Sequence, residues 1–249
     1  MILEITNACD GGCSHCMSDC KPDDDYMSWD TFKSALKFIN KTGSKTVFFT
    51  GGEPSLHPDL IPFVQYFKAK HPNLAVSLMS NGNFIQDKKL TEDIIKRFLF
   101  IQITYDKRYY PNYIDLEYIN KTYPDITTED RIRSVVKMGR ATQEEGAERK
   151  SPFCFNMRSL IKISNISFFE ACVLMERNNK FCSWSILPNG DITISESMLC
   201  PPIGNINMSN PELTDSIRKF KCDSCIYADK IKQLGLPYIA IFNKEDMSE

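Results

Sequence analysis

No apolar stretch in the sequence approaches about 20 residues, the length a helix needs to cross a bilayer, so no transmembrane helix and no membrane partner are expected. A basic segment followed by an apolar one is also missing from the start of the chain. That absence predicts no signal peptide and a cytoplasmic address. Nor is there an excess of charge of one sign: 30 Lys and Arg against 32 Asp and Glu leave a net charge of −2, with the basic residues scattered. Such a balance carries neither a nucleic-acid footprint nor a polybasic membrane patch. Internal repeats and low-complexity tracts are absent too. The 249 residues, 42% hydrophobic, therefore read as one large domain or a domain with a small appendage.

Cysteine, in contrast, is abundant, with ten residues. In a cytoplasmic chain that number points to metal or redox chemistry more than to disulfides. Cys9, Cys13, Cys16 and Cys20 gather near the start, and Cys182, Cys200, Cys222 and Cys225 near the end. Two groups of four at opposite ends predict two sites. Cys154 and Cys172 stand alone and read as small buried hydrophobes.

The first hundred residues alternate strand and helix patterns. Strands are expected at Ile2 to Thr6, Thr46 to Thr50, Ala75 to Met79 and Phe98 to Tyr105. Between them, Ser28 caps a helix with Phe32, Ala35, Leu36 and Ile39 on one face, ended by Gly43. A second helix turns Leu60, Val64 and Phe67 inward, and Thr91 to Arg97 forms a third. This alternation predicts βαβ units and a parallel sheet. Tyr109 to Asp130 reads as a loop with a short helix, Arg131 to Met138 as a fifth strand and Ser159 to Ile163 as a sixth. A helix is expected over Phe168 to Glu176. Pro188-Asn189-Gly190 then signals a hairpin between Ser183 to Leu187 and Asp191 to Ile194.

The chemistry centres on Cys9-Asp10-Gly11-Gly12-Cys13-Ser14-His15-Cys16, a C-x3-C-x2-C run after the first strand. Three thiolates can wrap one small iron–sulfur cluster but cannot complete its four-cysteine shell, so one iron stays open. A zinc site using Cys20 or His15 as fourth ligand is the competing reading. Gly51-Gly52-Glu53-Pro54 follows the second strand. Its glycines allow close approach to the backbone, and Glu53 offers an acceptor for a cationic amine.

Together with Ser80-Asn81-Gly82 and Ile103 to Asp106 after the third and fourth strands, these motifs resemble the radical S-adenosylmethionine (SAM) enzyme superfamily over residues 1–165. The resemblance implies an α/β fold, a partial (β/α)6 TIM-like barrel with its site at the C-terminal ends of the strands. It also implies a 4Fe-4S cluster on Cys9, Cys13 and Cys16, with SAM on the fourth iron. Gly51, Gly52, Glu53 and Pro54 would line the methionine end, and Ser80 and Asn81 would lie near the ribose. Arg140, in Gly139-Arg140-Ala141, would meet the cosubstrate carboxylate or a substrate acid. His15 stands where the family usually has an aromatic residue and can pack over a cluster edge. Cys20 is expected on the solvent side of its loop, and Tyr105, Asp106, Tyr109 and Tyr110 are candidates to face the substrate. A flavodoxin- or ferredoxin-type electron donor is implied as partner.

Cys182, Cys200 and the Cys222-x2-Cys225 pair can fully ligate one more cluster, or a structural zinc. With Pro188 to Asp191 and Ile203 to Ile206 they resemble the twitch/SPASM extension, which predicts a small hairpin-and-helix domain over residues 166–249 and a second, auxiliary 4Fe-4S cluster. No cysteine follows Cys225, so the resemblance is to the shorter twitch form, as in dehydrogenases of an aminocyclitol alcohol. The expected reaction is SAM cleavage to a 5′-deoxyadenosyl radical, hydrogen abstraction, and oxidative modification of a peptide or a small polyol-like molecule. Redox-neutral epimerisation, with Cys20 or Cys154 returning hydrogen, is the alternative enzyme. A zinc-stapled binding protein is the non-catalytic one.

Overall fold

Ser28 starts the first helix as its position predicts. In the computed structural model its Oγ accepts a hydrogen bond from the Thr31 amide at 3.1 Å, and Gly43 closes the helix in a left-handed conformation at φ 71°. The structure describes residues 1–16, 18–129, 140–141, 161, 165–177, 184–193 and 202–219. Along the chain these form β1 (Ile2–Thr6), α1 (Trp29–Thr42), β2 (Thr46–Gly51), α2 (Leu60–Lys70), β3 (Ala75–Ser80), α3 (Lys88–Arg97) and β4 (Phe100–Thr104). There follow α4 (Leu116–Thr122), β5 (Ile126–Glu129), α5 (Phe168–Arg177), β6 (Ser185–Ile186), β7 (Asp191–Thr193), β8 (Gly204–Asn205) and α6 (Asn210–Lys219).

The strands form one sheet in the order β5-β4-β3-β2-β1-β6-β7-β8. Every pair from β5 across to β6 is parallel, and the β6–β7 and β7–β8 pairs are antiparallel. Parallel strands need both faces covered, and the helices supply the cover. Phe32 of α1 stacks on Phe63 of α2 at 4.0 Å between ring centroids, and both rings are buried. Phe38 of α1 meets Phe168 and Phe169 of α5. Trp184 fills core space against Phe168 at 4.9 Å, and Cys172 is buried as a small hydrophobe.

Two expectations change. The fifth parallel strand is Ile126–Glu129, preceded by α4, inside the span read as a loop. Its sequence, Ile-Thr-Thr-Glu, carries β-branched residues, but four residues are too few for a clear period. Arg131 to Met138, read as that strand, lies outside the described residues. So does Ser159 to Ile163 apart from Ile161, which is buried. The sixth parallel strand in the described sheet is instead β6, the first arm of the hairpin, paired with β1. Helix α6 was not anticipated, although Ser209-Asn210-Pro211-Glu212 is a capping-box sequence. The Ser209 amide and hydroxyl both donate to Glu212 Oε2 at 2.7 Å.

His57, which shows no partner in the sequence, ties the turn after β2 to the segment before α1. Its Nδ1 accepts from the Asp59 amide at 3.0 Å, so its Nε2–H donates to the Met27 carbonyl at 3.0 Å. Burial lowers its pKa. The folded protein thus holds a neutral imidazole that the unfolded chain protonates near pH 6.5. Its contribution to stability is complete above that pH and is lost as pH falls through the lowered folded value. Thermal melts between pH 7.5 and 5.0 should show a decline that is shallower in His57→Gln. Parallel profiles would remove His57 from the acid response.

Candidate functional site

All the described motifs meet above the C-terminal ends of β1 to β4. The cysteine loop leaves β1 and is zipped shut at its base: the Asn7 amide donates to Asp25 O at 2.8 Å and the Cys9 amide to Lys21 O at 2.9 Å. Thr6 anchors the exit. Its hydroxyl donates to Asp25 O at 2.8 Å and accepts from the Ala8 amide at 2.9 Å.

The Gly51-Gly52-Glu53 run docks directly on this base. The Gly52 amide donates to Thr6 O and the Glu53 amide to Ala8 O, each at 2.7 Å. A Cβ on Gly51 would stand 2.1 Å from Thr6 O, and one on Gly52 would stand 2.3 Å from Ala8 O. The missing side chains are therefore required first by the backbone of the cysteine loop, a closer demand than the ligand approach expected of them.

Glu53 is fully buried. Its Oε1 accepts from the Ser55 amide at 3.0 Å, and its Oε2 from the Asn81 amide at 2.7 Å. The Ser80 hydroxyl donates to both oxygens, at 2.9 and 3.0 Å. Burial raises its pKa against the pull of these donors. Asn81 Nδ2 then donates to Asp10 Oδ1 at 2.9 Å, which closes a circuit from β2 through β3 to the cysteine loop. Asp10 was not singled out in the sequence, and nothing in the spacing marks it.

Cys9 and Cys13 are buried and Cys16 is half-buried. Burial pushes the Cys9 thiol up to about 11. The Cys13, Cys16 and Cys20 thiols are close enough to interact, which lowers the pKa of Cys16 and raises those of Cys13 and Cys20. Cys20, expected toward solvent, is thus only 4% exposed and sits against Cys16. The loop folds its polar end inward because Arg140 caps it: the Arg140 amide donates to Cys16 O, Nε to Cys13 O and Nη1 to Cys20 O. Nη1 also pairs with Asp19 at 3.0 Å.

The far wall comes from the segment after β4. His15 lies against Tyr109 and Tyr110, at 5.1 and 5.4 Å between centroids, and the Ser14 amide donates to Tyr109 O. Burial, and then the nearby Cys13, Cys9 and Glu53, raise the Tyr110 pKa. Asp106 is buried and paired with Arg108 at 2.5 Å. Beside them opens a cavity of about 600 Å³ lined by Tyr105, Asp106, Arg108, Tyr113, Asp115 and Glu117.

Among the described residues no group of three or more His, Cys, Asp or Glu is placed to hold a single metal ion. A cubane makes a different demand, because its thiolates ligate separate irons. The donor set suits such a cluster: three cysteine sulfurs of one loop, with a guanidinium beside them. Arg140 Nη2 is buried and has no hydrogen-bond partner among the described residues, as expected of a donor left for an anionic, sulfur-rich group. Cys182, Cys200, Cys222 and Cys225 lie outside the described residues, as do Gly139 and Cys154.

The profile of the radical SAM superfamily matches residues 3–141, more than half of the chain. The chain belongs to the radical SAM superfamily. Membership implies a 4Fe-4S cluster, SAM and radical chemistry. A GTP 3′,8-cyclase from Nautilia profundicola is 28% identical over 101 residues, 38% of this radical SAM chain and 32% of that enzyme. The matched segment thus spans about a third of that relative's length. Among solved structures, BtrN in complex with AdoMet and 2-DOIA superposes with a TM-score of 0.54 at 14% identity, covering 93% of this chain and 86% of that one. Streptococcus suis SuiB bound to precursor peptide SuiA gives 0.51 at 13%, covering 93% and 72%. At those identities the likeness is one of fold. No helix among the described residues is long and apolar enough to cross a membrane.

Proposed function

We propose that this chain reductively cleaves SAM and uses the resulting 5′-deoxyadenosyl radical to remove a hydrogen atom from a peptide or a small polyol-like molecule, with net oxidation. The observation that carries this reading is the circuit Glu53–Ser80–Asn81–Asp10, which locks the cysteine loop to the Gly-Gly-Glu run. Cys9, Cys13 and Cys16 would hold the cluster, which supplies the electron for cleavage when reduced by a flavodoxin- or ferredoxin-type donor. Gly51 to Pro54 would border the methionine end of SAM. Ser80 and Asn81 would stand on the ribose side, their present bonds setting the backbone there. The substrate would enter from the cavity beside Asp106 and Tyr105. BtrN with 2-DOIA and SuiB with its precursor peptide supply the two substrate classes to test.

Residues 166–249 would form a twitch-like unit in which Cys182, Cys200, Cys222 and Cys225 hold an auxiliary 4Fe-4S cluster that accepts the substrate electron. The redox-neutral alternative needs a thiol to return hydrogen, for which Cys20 and Cys154 are the candidates.

Anaerobic reconstitution with iron and sulfide should give about eight irons per chain, one cubane for each cysteine set, and 5′-deoxyadenosine on reduction. Bound zinc without 5′-deoxyadenosine would sink the reading in favour of a stapled binding protein. Cys222→Ala should retain 5′-deoxyadenosine formation yet lose oxidised product. Equal loss of both would remove the electron-accepting role.

A further inference from the structure

Arg140 bonds the cysteine loop at four points. Its amide donates to Cys16 O at 3.0 Å, its Nε to Cys13 O at 3.1 Å and its Nη1 to Cys20 O at 2.8 Å. One residue therefore bonds the main-chain carbonyls of three cysteines. Those carbonyls belong to a loop that cannot pair them in a sheet, and buried carbonyls without donors are costly. Nη1 also holds Asp19, which sits in the left-handed region at φ 49°. A non-glycine residue there is retained when its surroundings determine it. Arg140 is thus the external brace on a turn that would otherwise relax.

The brace also sets a guanidinium beside the loop, its Nε on Cys13 O and its Nη1 on Cys20 O. The fork is used on one side only: Nε and Nη1 reach carbonyls, and Nη2 is buried without a partner among the described residues. An arginine engaged this way has no free edge for a bidentate carboxylate, the role expected of it toward the cosubstrate or a substrate acid.

We propose that Arg140 is the positioning residue of the cluster loop: it holds Cys13, Cys16 and Cys20 in register through their carbonyls and keeps Nη2–H for a sulfur of the iron–sulfur cluster. This rests on the cluster being seated at Cys9, Cys13 and Cys16, but the brace itself is a property of the protein without metal. Lysine keeps the main-chain bond to Cys16 O but cannot replace the side chain, because one ammonium cannot span the Cys13 and Cys20 carbonyls, seven residues apart in the chain, while leaving a donor over. A buried cation beside a cluster stabilises the more negative, reduced state, so its removal moves the potential down.

Arg140→Lys and Arg140→Gln test this with three readouts. In the metal-free protein, amide hydrogen exchange should rise at least tenfold within residues 13–21 and stay unchanged in β2 and β3. After anaerobic reconstitution, the iron retained by the first site should fall at least twofold in both variants. The EPR-monitored midpoint potential of that cluster should become more negative in Arg140→Gln. Asp19→Asn, which keeps all three carbonyl bonds and tolerates the left-handed conformation, should leave iron content within a tenth of wild type. Normal exchange and normal iron in both arginine variants, with only SAM affinity lost, would overturn the proposal and return Arg140 to a carboxylate-binding role. If the wild type loads no iron, the cluster assignment fails, and the exchange measurement alone still decides whether the brace exists.

Discussion

Cys13→Ala is expected to reduce 5′-deoxyadenosine formation below detection while the protein still folds. The variant loses a buried sulfur, one of the three proposed to hold the cluster. Its carbonyl and its bond to Arg140 Nε stay in place, so the main chain has no reason to move. Removing one small buried side chain costs about 1 kcal/mol. Chemistry loses far more, because two thiolates do not retain a cubane and the open iron disappears with it. Iron content should fall from about eight to about four per chain as the first site empties and the second remains. Iron analysis and chromatographic detection of 5′-deoxyadenosine check it together. Continued SAM cleavage by the variant would show that Cys20 can substitute as a ligand. It is the one further sulfur of the described loop, and it already contacts Cys16.

Glu53→Ala should be the most destabilising single change at the site. The side chain has no exposed surface, and it accepts from Ser55, Ser80 and Asn81. Truncation leaves three donors buried and unanswered, at about 1–3 kcal/mol for each group; the Ser80 hydroxyl can turn to another acceptor, so a total toward the low end, about 3–5 kcal/mol, is expected. Glu53→Gln keeps a carbonyl oxygen but turns an amide NH2 toward a donor, and should cost roughly half as much. The circuit also fixes Asn81 against Asp10, so the loss should extend to SAM binding, with Glu53→Ala worse than Glu53→Gln. Denaturant unfolding and SAM titration measure both effects. A cost below about 1 kcal/mol for Glu53→Ala would mean that water replaces the carboxylate, and the carboxylate would then not be what joins the loop after β2 to the end of β3.

Much of this was legible in the sequence where local chemistry decides the outcome. Ser28 and Gly43 bracket α1, and the inward positions of α1 and α2 follow their period. The motifs then fall at strand ends because a parallel sheet puts every such loop on one face. Contacts between distant residues were less legible. Arg140 lies more than 100 residues from the carbonyls it bonds, and no spacing rule relates the two. The same holds for Asp10 with Asn81. Cys20 reads as solvent-facing because a fourth thiolate on the open iron would displace the cosubstrate, yet its thiol is buried in a loop whose carbonyls Arg140 holds. At Gly51 and Gly52 the residue type was read correctly as a demand for close approach, but the approaching group is the protein's own backbone.

The pairing of β6 with β1 has a consequence for how the chain is made. β1, which feeds the cysteine loop, precedes every other described strand in the chain, yet among the described residues its outer edge is paired only when Ser185 and Ile186 arrive. At about 5–20 residues per second that delay is roughly 10–40 s. For that time the strand carrying the metal-seeking loop is an open edge on a half-built sheet, the kind of surface that recruits other strands. The strand that carries the cysteine loop is therefore paired on its second edge only after β2 to β5 have been made, and the hairpin that pairs it stands in sequence between two of the second set of cysteines, Cys182 and Cys200.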